Sequence, residues 1–282
     1  MNTMLLKNTQ NEISVVFSAG YADGAVTVTI TKADGTVLVT ATATRDNTVA
    51  GRYTYGLAPQ PDVIAATVRW AGAWGGVAQS LDFPLEVVGA HLFTIAEARA
   101  FGDKALQSSS TYPDAAIIDA RERITDWFQA ICSVAFVPRY GRVVLDGSGT
   151  CSLWLPHSAV TRVFSVTENG VALNLSDVYV YSVGRLERRT SWFREYQNIV
   201  AAYEHGFSAP PDDITRAALM VARYDLTSNQ LADRFISFQN DLGVIRQAVP
   251  GAKYPTGIPI VDAVLARYSR SMPLQPLTKA VY

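Results

Sequence analysis

The apolar residues change their period once, near Gly89, and that change limits the possible folds more than any single motif does. Before it, apolar and polar residues alternate in short, turn-bounded runs: Ile13–Ser18, Ala25–Thr31, Val37–Thr42, Arg52–Leu57, Val63–Trp70 and Val77–Val88. Val26-Thr27-Val28-Thr29-Ile30-Thr31 shows the two-residue period of a half-buried strand. Asp34-Gly35, between that run and Val37-Leu38-Val39, reads as a hairpin turn with φ > 0 at both positions. Short strands at such spacing predict a small β-sandwich over residues 1–90.

After Gly89 the period becomes helical. Thr94-Ile95-Ala96-Glu97 has the form of a capping box and predicts a helix reaching about Leu106. Ser108–Thr111 is a polar loop, and Thr111-Tyr112-Pro113-Asp114 predicts the start of a long helix with Thr111 as its cap. On that helix Ile117, Ala120, Ile124, Trp127, Phe128 and Ile131 form the expected apolar face, with Arg121, Glu122, Arg123 and Asp126 opposite and Pro138 closing the element. Residues 140–205 return to strand-like alternation at Arg142–Leu145, Cys151–Leu155, Arg162–Thr167, Val178–Tyr181 and Asn198–Tyr203, with a two-residue turn at Asn169-Gly170. Pro210-Pro211-Asp212-Asp213 opens a further helix with Ile214, Ala217, Ala218, Val221 and Tyr224 inward, its two acids read as caps favoured by the helix dipole. A last helix near Pro259 carries Val261, Val264, Leu265 and Tyr268, and Met272–Tyr282 has no period and reads as an extended arm. The predicted fold class is α+β and multi-domain: an immunoglobulin-like sandwich over 1–90, without the Cys…Trp…Cys signature of antibody domains, a helical body over 91–271 with a β-rich insertion at about 140–205, and the arm over 272–282.

Composition narrows the function. Twenty-four Lys and Arg against 25 Asp and Glu leave a formal charge of -1, which excludes a polybasic nucleic-acid binder acting through bulk charge. Only 17% of residues are charged, against roughly 25% in an average domain, a level that fits a surface covered by other chains. No apolar run approaches the roughly 18 residues of a membrane helix, and the first fifteen residues lack the pattern of a signal peptide, so no membrane partner is expected. Cys132 and Cys151 leave a disulfide open, with two reduced, packed thiols as the expectation.

Motifs for catalysis are absent. His91, His157 and His205 form no zinc spacing, and there is no nucleophile elbow or phosphate loop, so no catalytic, cofactor-binding or metal-ligating residue is expected and the chain is read as no enzyme. Arg185, Arg188 and Arg189, close to Trp192 and Phe193, are candidates for contact with an acidic partner or with DNA, or else solvated arginines at a strand edge beside one core tryptophan.

An ordered set of motifs carries a resemblance. It runs from the Tyr112-Pro113-Asp114 helix start through Trp192, Tyr203-Glu204-His205-Gly206, Pro210–Ile214 and Arg216-Ala217-Ala218-Leu219 to Thr256-Gly257-Ile258-Pro259, Val261-Asp262-Ala263 and Leu265–Tyr268. This set resembles the head-to-tail adaptor (connector) proteins of long-tailed bacteriophages, particularly those infecting actinobacteria. Asp34-Gly35-Thr36, Gly51–Tyr55 and the run ending in Trp70 are similar to the leading domain of those proteins. The resemblance implies a virion protein of the phage neck: a homo-oligomeric ring, usually of twelve subunits, bound beneath the portal protein. Such a ring carries the next connector, stopper or tail protein and contacts genomic DNA transiently in its channel. By position, Met272, Leu274, Leu277, Val281 and Tyr282 correspond to an arm laid on the portal or a neighbouring subunit. The competing expectation is an Ig-domain virion protein that recognises a host surface or glycan and is anchored by its helical part.

Overall fold

The computed structural model describes residues 3–227, 237–240, 243–246 and 255–270, and for 237–240, 243–246 and Arg270 the backbone alone. The arm expected at Met272–Tyr282 lies outside the described residues. The chain is a mixed α+β protein, mostly sheet, packed as two compact units: residues 1–91 with 137–209, and 92–136 with 210–282.

The first unit begins with eight strands, β1 (Thr3–Leu6), β2 (Asn11–Val16), β3 (Thr27–Lys32), β4 (Val37–Thr42), β5 (Thr44–Arg45), β6 (Arg52–Leu57), β7 (Ile64–Trp74) and β8 (Val77–Val88). They form a five-stranded sheet, β1-β8-β7-β3-β4, and a three-stranded sheet, β2-β6-β5. Alternation does what the sequence implies: Val28, Ile30, Val68, Trp70 and Val87 from one sheet share a core with Ile13, Val15, Tyr53 and Leu57 from the other. Each fully buried side chain of this size contributes about 1.5–3 kcal/mol. The β3–β4 turn differs from expectation, since Gly35 alone has φ > 0 (90°). Asp34 Oδ1 instead accepts the Thr36 N–H at 2.8 Å, and the extra residue is absorbed as a register shift after Ile30.

The same unit contains β9 (Arg139–Leu145), β10 (Ser152–Trp154), β11 (Val160–Glu168), β12 (Val171–Ala172), β13 (Val178–Val180), β14 (Arg185–Arg188) and β15 (Ile199–His205). These make a four-stranded sheet, β12-β11-β15-β9, and a three-stranded one, β10-β14-β13, around Val166, Leu186, Trp192, Ile199 and Tyr203. Three features hold this half to the N-terminal strands. Arg139 grips Glu86 through both carboxylate oxygens, with Nε to Oε1 at 2.8 Å, and the two side chains are only 12% and 10% exposed. Gly89 donates its N–H to the Pro138 carbonyl, and a Cβ on Gly89 would stand 2.5 Å from the Pro138 ring. Arg162 reaches Asp62 at 2.7 Å nearer the surface.

The second unit is helical: α1 (Ile95–Ala100), α2 (Asp114–Cys132), α3 (Asp212–Thr227) and α4 (Pro259–Arg270), with a hairpin of β16 (Ser237–Asn240) and β17 (Gly243–Arg246). The Thr94/Glu97 capping box forms, but α1 ends at Ala100 rather than near Leu106. Phe101 turns to an extended conformation and Gly102, Asp103 and Lys104 follow with positive φ, while Arg223 packs where a side chain on Gly102 would lie. Pro113, not Thr111, occupies the cap of α2, and Arg99 holds Asp114 in its first turn. On α2 the buried arc runs through Ile117, Ala120, Arg121, Ile124, Thr125, Phe128 and Cys132, and it takes in Glu122. Trp127 is exposed, contrary to the expected face: α2 packs against both α3 and α4 with its buried arc turned toward Arg121, Thr125 and Glu122, which leaves Trp127 beyond the other end of the arc. Tyr224, expected inward on α3, is exposed as well.

Removing one member of the Arg139–Glu86 pair leaves a buried charge unpaired. Glu86→Gln is expected to cost about 3–5 kcal/mol in chemical denaturation, and replacing both residues by apolar ones of similar volume should recover most of that loss.

Candidate functional site

The basic cluster expected to act together is divided by the geometry of β14. Alternation sends Arg185 and Glu187 to one face and Arg188 to the other. Arg188 is committed internally: its guanidinium donates to both Glu168 oxygens at 2.8 and 2.9 Å and lies 4.3 Å from the Trp192 ring centre. Arg185 pairs with Glu187 at 3.1 Å and covers the Tyr181 ring at 4.0 Å. Arg189 is exposed. Arg185 and Arg189 therefore remain as surface cations, whereas Arg188 builds the loop that follows.

That loop, residues 189–198, is held at several points. Trp192 is buried, and its backbone N–H donates to the Thr150 carbonyl at 2.8 Å. The Phe193 N–H donates to Glu168 Oε1 at 2.7 Å, the Gln197 N–H donates to Asp146 Oδ1 at 2.8 Å, and Asn198 Nδ2 donates to the Phe193 carbonyl at 3.0 Å. Beneath it the Gly147 N–H reaches Asn198 Oδ1, and a Cβ on Gly147 would fall 1.7 Å from the Phe193 carbonyl oxygen, so glycine is required for the close approach. Burial alone would raise the Glu168 pKa, but the Arg188 bonds, the Phe193 N–H and the Arg188 charge together hold its carboxyl below the ordinary range. On this scaffold Phe193 (59% exposed) and Tyr196 (87% exposed) face solvent. The sequence alone marked Trp192 and Phe193 only as neighbours of the arginines; Tyr196 carries no pattern that would have distinguished it.

A second aromatic surface lies on the outer face of the β10-β14-β13 sheet. Trp154 stands opposite Arg185 and Tyr179 opposite Glu187, with Tyr181 under the Arg185 guanidinium. All three rings are exposed. Rigid aromatics around a paired arginine are the residue types that dominate protein interfaces.

Of the histidines, His205 is buried, and His91 and His157 are half-buried. His157 and His205 stack at 4.0 Å between ring centres, and His157 Nδ1 is hydrogen-bonded to the Tyr203 hydroxyl at 2.7 Å. Burial, then the neighbouring His157 and Arg139, push His205 down to about 3; burial and Arg139 lower His157. In the helical unit Asp213 lies inside the first turn of α3 and accepts from its neighbour Ile214 N–H, from Tyr268 Oη at 2.8 Å and from Arg267 Nη2 at 2.9 Å, tying α4 to the start of α3. Burial, then Asp213, push the Tyr268 hydroxyl up to about 12. Both cysteines are free; Cys132 is buried but Cys151 is exposed, so only Cys132 is a packed thiol.

Among the described residues no group of three or more His, Cys, Asp or Glu converges to hold a metal, and no helix is long and apolar enough to cross a membrane. A cleft of about 240 Å³ beside Asp34, Asp62, Tyr140 and Phe164 falls below the roughly 300–1,000 Å³ of small-molecule sites. The chain matches no protein-family model and no curated protein sequence.

Two expectations follow. His205 binds its proton less readily when folded, so between about pH 6.5 and 3 the unfolded chain holds more protons. The His205 contribution to stability should be level above pH 7 and fall below about 6.5 by up to about 1.4 kcal/mol per pH unit, and His205→Phe should flatten that slope in pH-dependent thermal melts. Phe193→Ala and Tyr196→Ala should each move stability by about 0.5 kcal/mol or less, whereas Gly147→Ala should lower the thermal midpoint markedly in calorimetry.

Proposed function

We propose that the chain is a structural subunit of a tailed-bacteriophage neck, a head-to-tail adaptor. It assembles as a ring, twelve-membered as the resemblance implies, beneath the portal, extends the DNA channel and links capsid to tail. In this reading the chain catalyses no reaction and its place is the virion. The strands of residues 1–90 form an immunoglobulin-like sandwich on the ring, and Met272, Leu274, Leu277, Val281 and Tyr282 lie against the portal or a neighbouring subunit.

One observation carries the proposal: the motifs behind the resemblance sit at the joints of the helical unit. Tyr112-Pro113-Asp114 starts α2, and Pro211-Asp212-Asp213 starts α3 and ties in α4 through Asp213. Thr256 donates its N–H and hydroxyl to Asp262 Oδ1 at 2.9 and 2.7 Å, fixing the turn into α4. Three helices from two distant stretches of chain thus pack on one another, and the β-rich residues lie between those stretches in sequence, which supports the reading. The low charge fraction and the exposed aromatics of the insertion agree with surfaces that meet other chains, since each subunit of a ring uses two different faces. Arg185 and Arg189 are the cations left to meet an acidic partner or passing DNA.

A second reading rests on Trp154, Tyr179 and Tyr181, whose exposed rings around Arg185 and Glu187 also suit sugar rings. It makes the chain a host-surface or glycan-recognising virion protein anchored by its helices.

Negative-stain microscopy of the purified chain, with and without portal protein, is expected to show rings; single chains under both conditions would overturn the adaptor reading. Deleting Met272–Tyr282 should leave the thermal midpoint within about 2 °C, a shift worth well under 1 kcal/mol, and abolish capture by immobilised portal. Retention on a glycan array that is lost with Trp154→Ala would favour recognition instead.

A further inference from the structure

The five-stranded sheet of the first unit has an open slot. β8 pairs with β7 along its whole length, but on its other edge β1 covers only Leu85–Val88. Among the described residues Val77–Phe83 therefore present a free strand edge, with no hydrogen bond to its outward backbone groups. From Val77 to Leu81 the segment is also uncovered on its inner side, while Phe83 packs against the core. Leu81 continues the buried row of Trp70 and Val28, and Val77 that of Trp74, yet Val77 and Leu81 are exposed. Exposed edges are ordinarily guarded by Lys, Pro or a bulge. Here Asp82 is the one charge, already paired with Arg69 at 2.7 Å, and Pro84 lies just beyond the free stretch.

The opposite edge of the same sheet is β4, Val37-Leu38-Val39-Thr40-Ala41-Thr42, six residues without a charge, paired only with β3 among the described residues. We propose that β4 of a second copy of this chain fills the β8 slot, so that the sheet continues head to tail from one subunit to the next. Three features select this occupant. Each neighbouring pair in β8-β7-β3-β4 is antiparallel, so β8 and β4 run in opposite directions, and extending the sheet by another copy makes the new pair antiparallel too, the more stable pairing. Length matches, six residues entering a slot of seven. With Val39 opposite Leu81 and Ala41 opposite Gln79, the inward-facing residues of β4 lie beside the uncovered inner row, and Val37, beyond the register shift, reaches Phe83 without meeting the strand β1. A contact between unlike edges is heterologous, and it closes into a ring when the rotation per subunit allows. The inference deepens the neck reading and rests on it for the closed form of the assembly.

The test uses the full chain in a Cys151→Ser background. In the register above Thr40 faces Ser80, and both side chains are exposed. Chains carrying Thr40→Cys, mixed with differently tagged chains carrying Ser80→Cys, are expected to give a mixed disulfide dimer under mild oxidation, several-fold above either chain alone. A second arm places lysines on the edge: Val77→Lys with Leu81→Lys should reduce the assembled mass in light scattering to that of a single chain, with the thermal midpoint of the monomer unchanged. Ser80→Cys chains that crosslink mainly to themselves would overturn β4 as the occupant in favour of a two-fold β8–β8 contact. Rings that form without the mixed crosslink would overturn this inference and leave the neck reading standing. A chain that stays monomeric yet is captured by portal protein would do the same, whereas a monomer that portal does not capture would remove both.

Discussion

The bidentate pair between Glu86 and Arg139 is the constraint on which the larger unit depends. It joins the end of an N-terminal strand to the first strand after the long helix, across a stretch of chain that itself belongs to the other unit. Two charges so nearly sealed from water are costly unless each meets a full partner, and the fork of the guanidinium supplies that match in a single geometry. Gly89 and Pro138 lie beside it, so the strand can approach only because one residue lacks a side chain. The fold thereby fixes where the chain leaves the first unit, after His91, and where it returns, at Val137.

Much of this architecture was legible in the sequence, because local chemistry controlled it. Where apolar and polar residues alternate, as at Val37–Thr42 and Arg52–Leu57, the strands begin and end where the pattern does. The capping box at Thr94 was legible for the same reason, since every atom of it lies within four residues. The length of that helix was not, because Arg223, from a distant part of the chain, packs against Gly102. Nor was the burial of Arg121 and Glu122: a helical wheel allots charge to solvent, but a helix clasped by two others needs more than one stripe.

The candidate surface was less legible than the fold. Three arginines within five residues look like one patch in a linear reading, but strand geometry turns Arg188 inward, to Glu168, and leaves the others outside. Exposure itself has no sequence signature. Phe193 and Tyr196 differ from the core tryptophan beside them only in which way a multiply anchored loop turns them. A periodicity cannot express that choice, because it depends on Gly147, Glu168 and Asn198, each far from the loop's tip along the chain or on its opposite limb.

The loop over Gly147 has a consequence for how such a molecule diversifies. Its shape is set by residues it does not display: Trp192 beneath, Arg188 and Glu168 at one side, Asn198 at the other. Phe193, Arg194 and Tyr196 are exposed, and Phe193 anchors the loop through its backbone N–H and carbonyl, groups that a different side chain would leave in place. Display and support are thus separate sets of positions, and the tip can exchange its side chains while the frame beneath stays constant. A mutational library confined to 193, 194 and 196 would sample new surfaces on one backbone, whereas variation at 147, 188 or 192 would change the backbone itself.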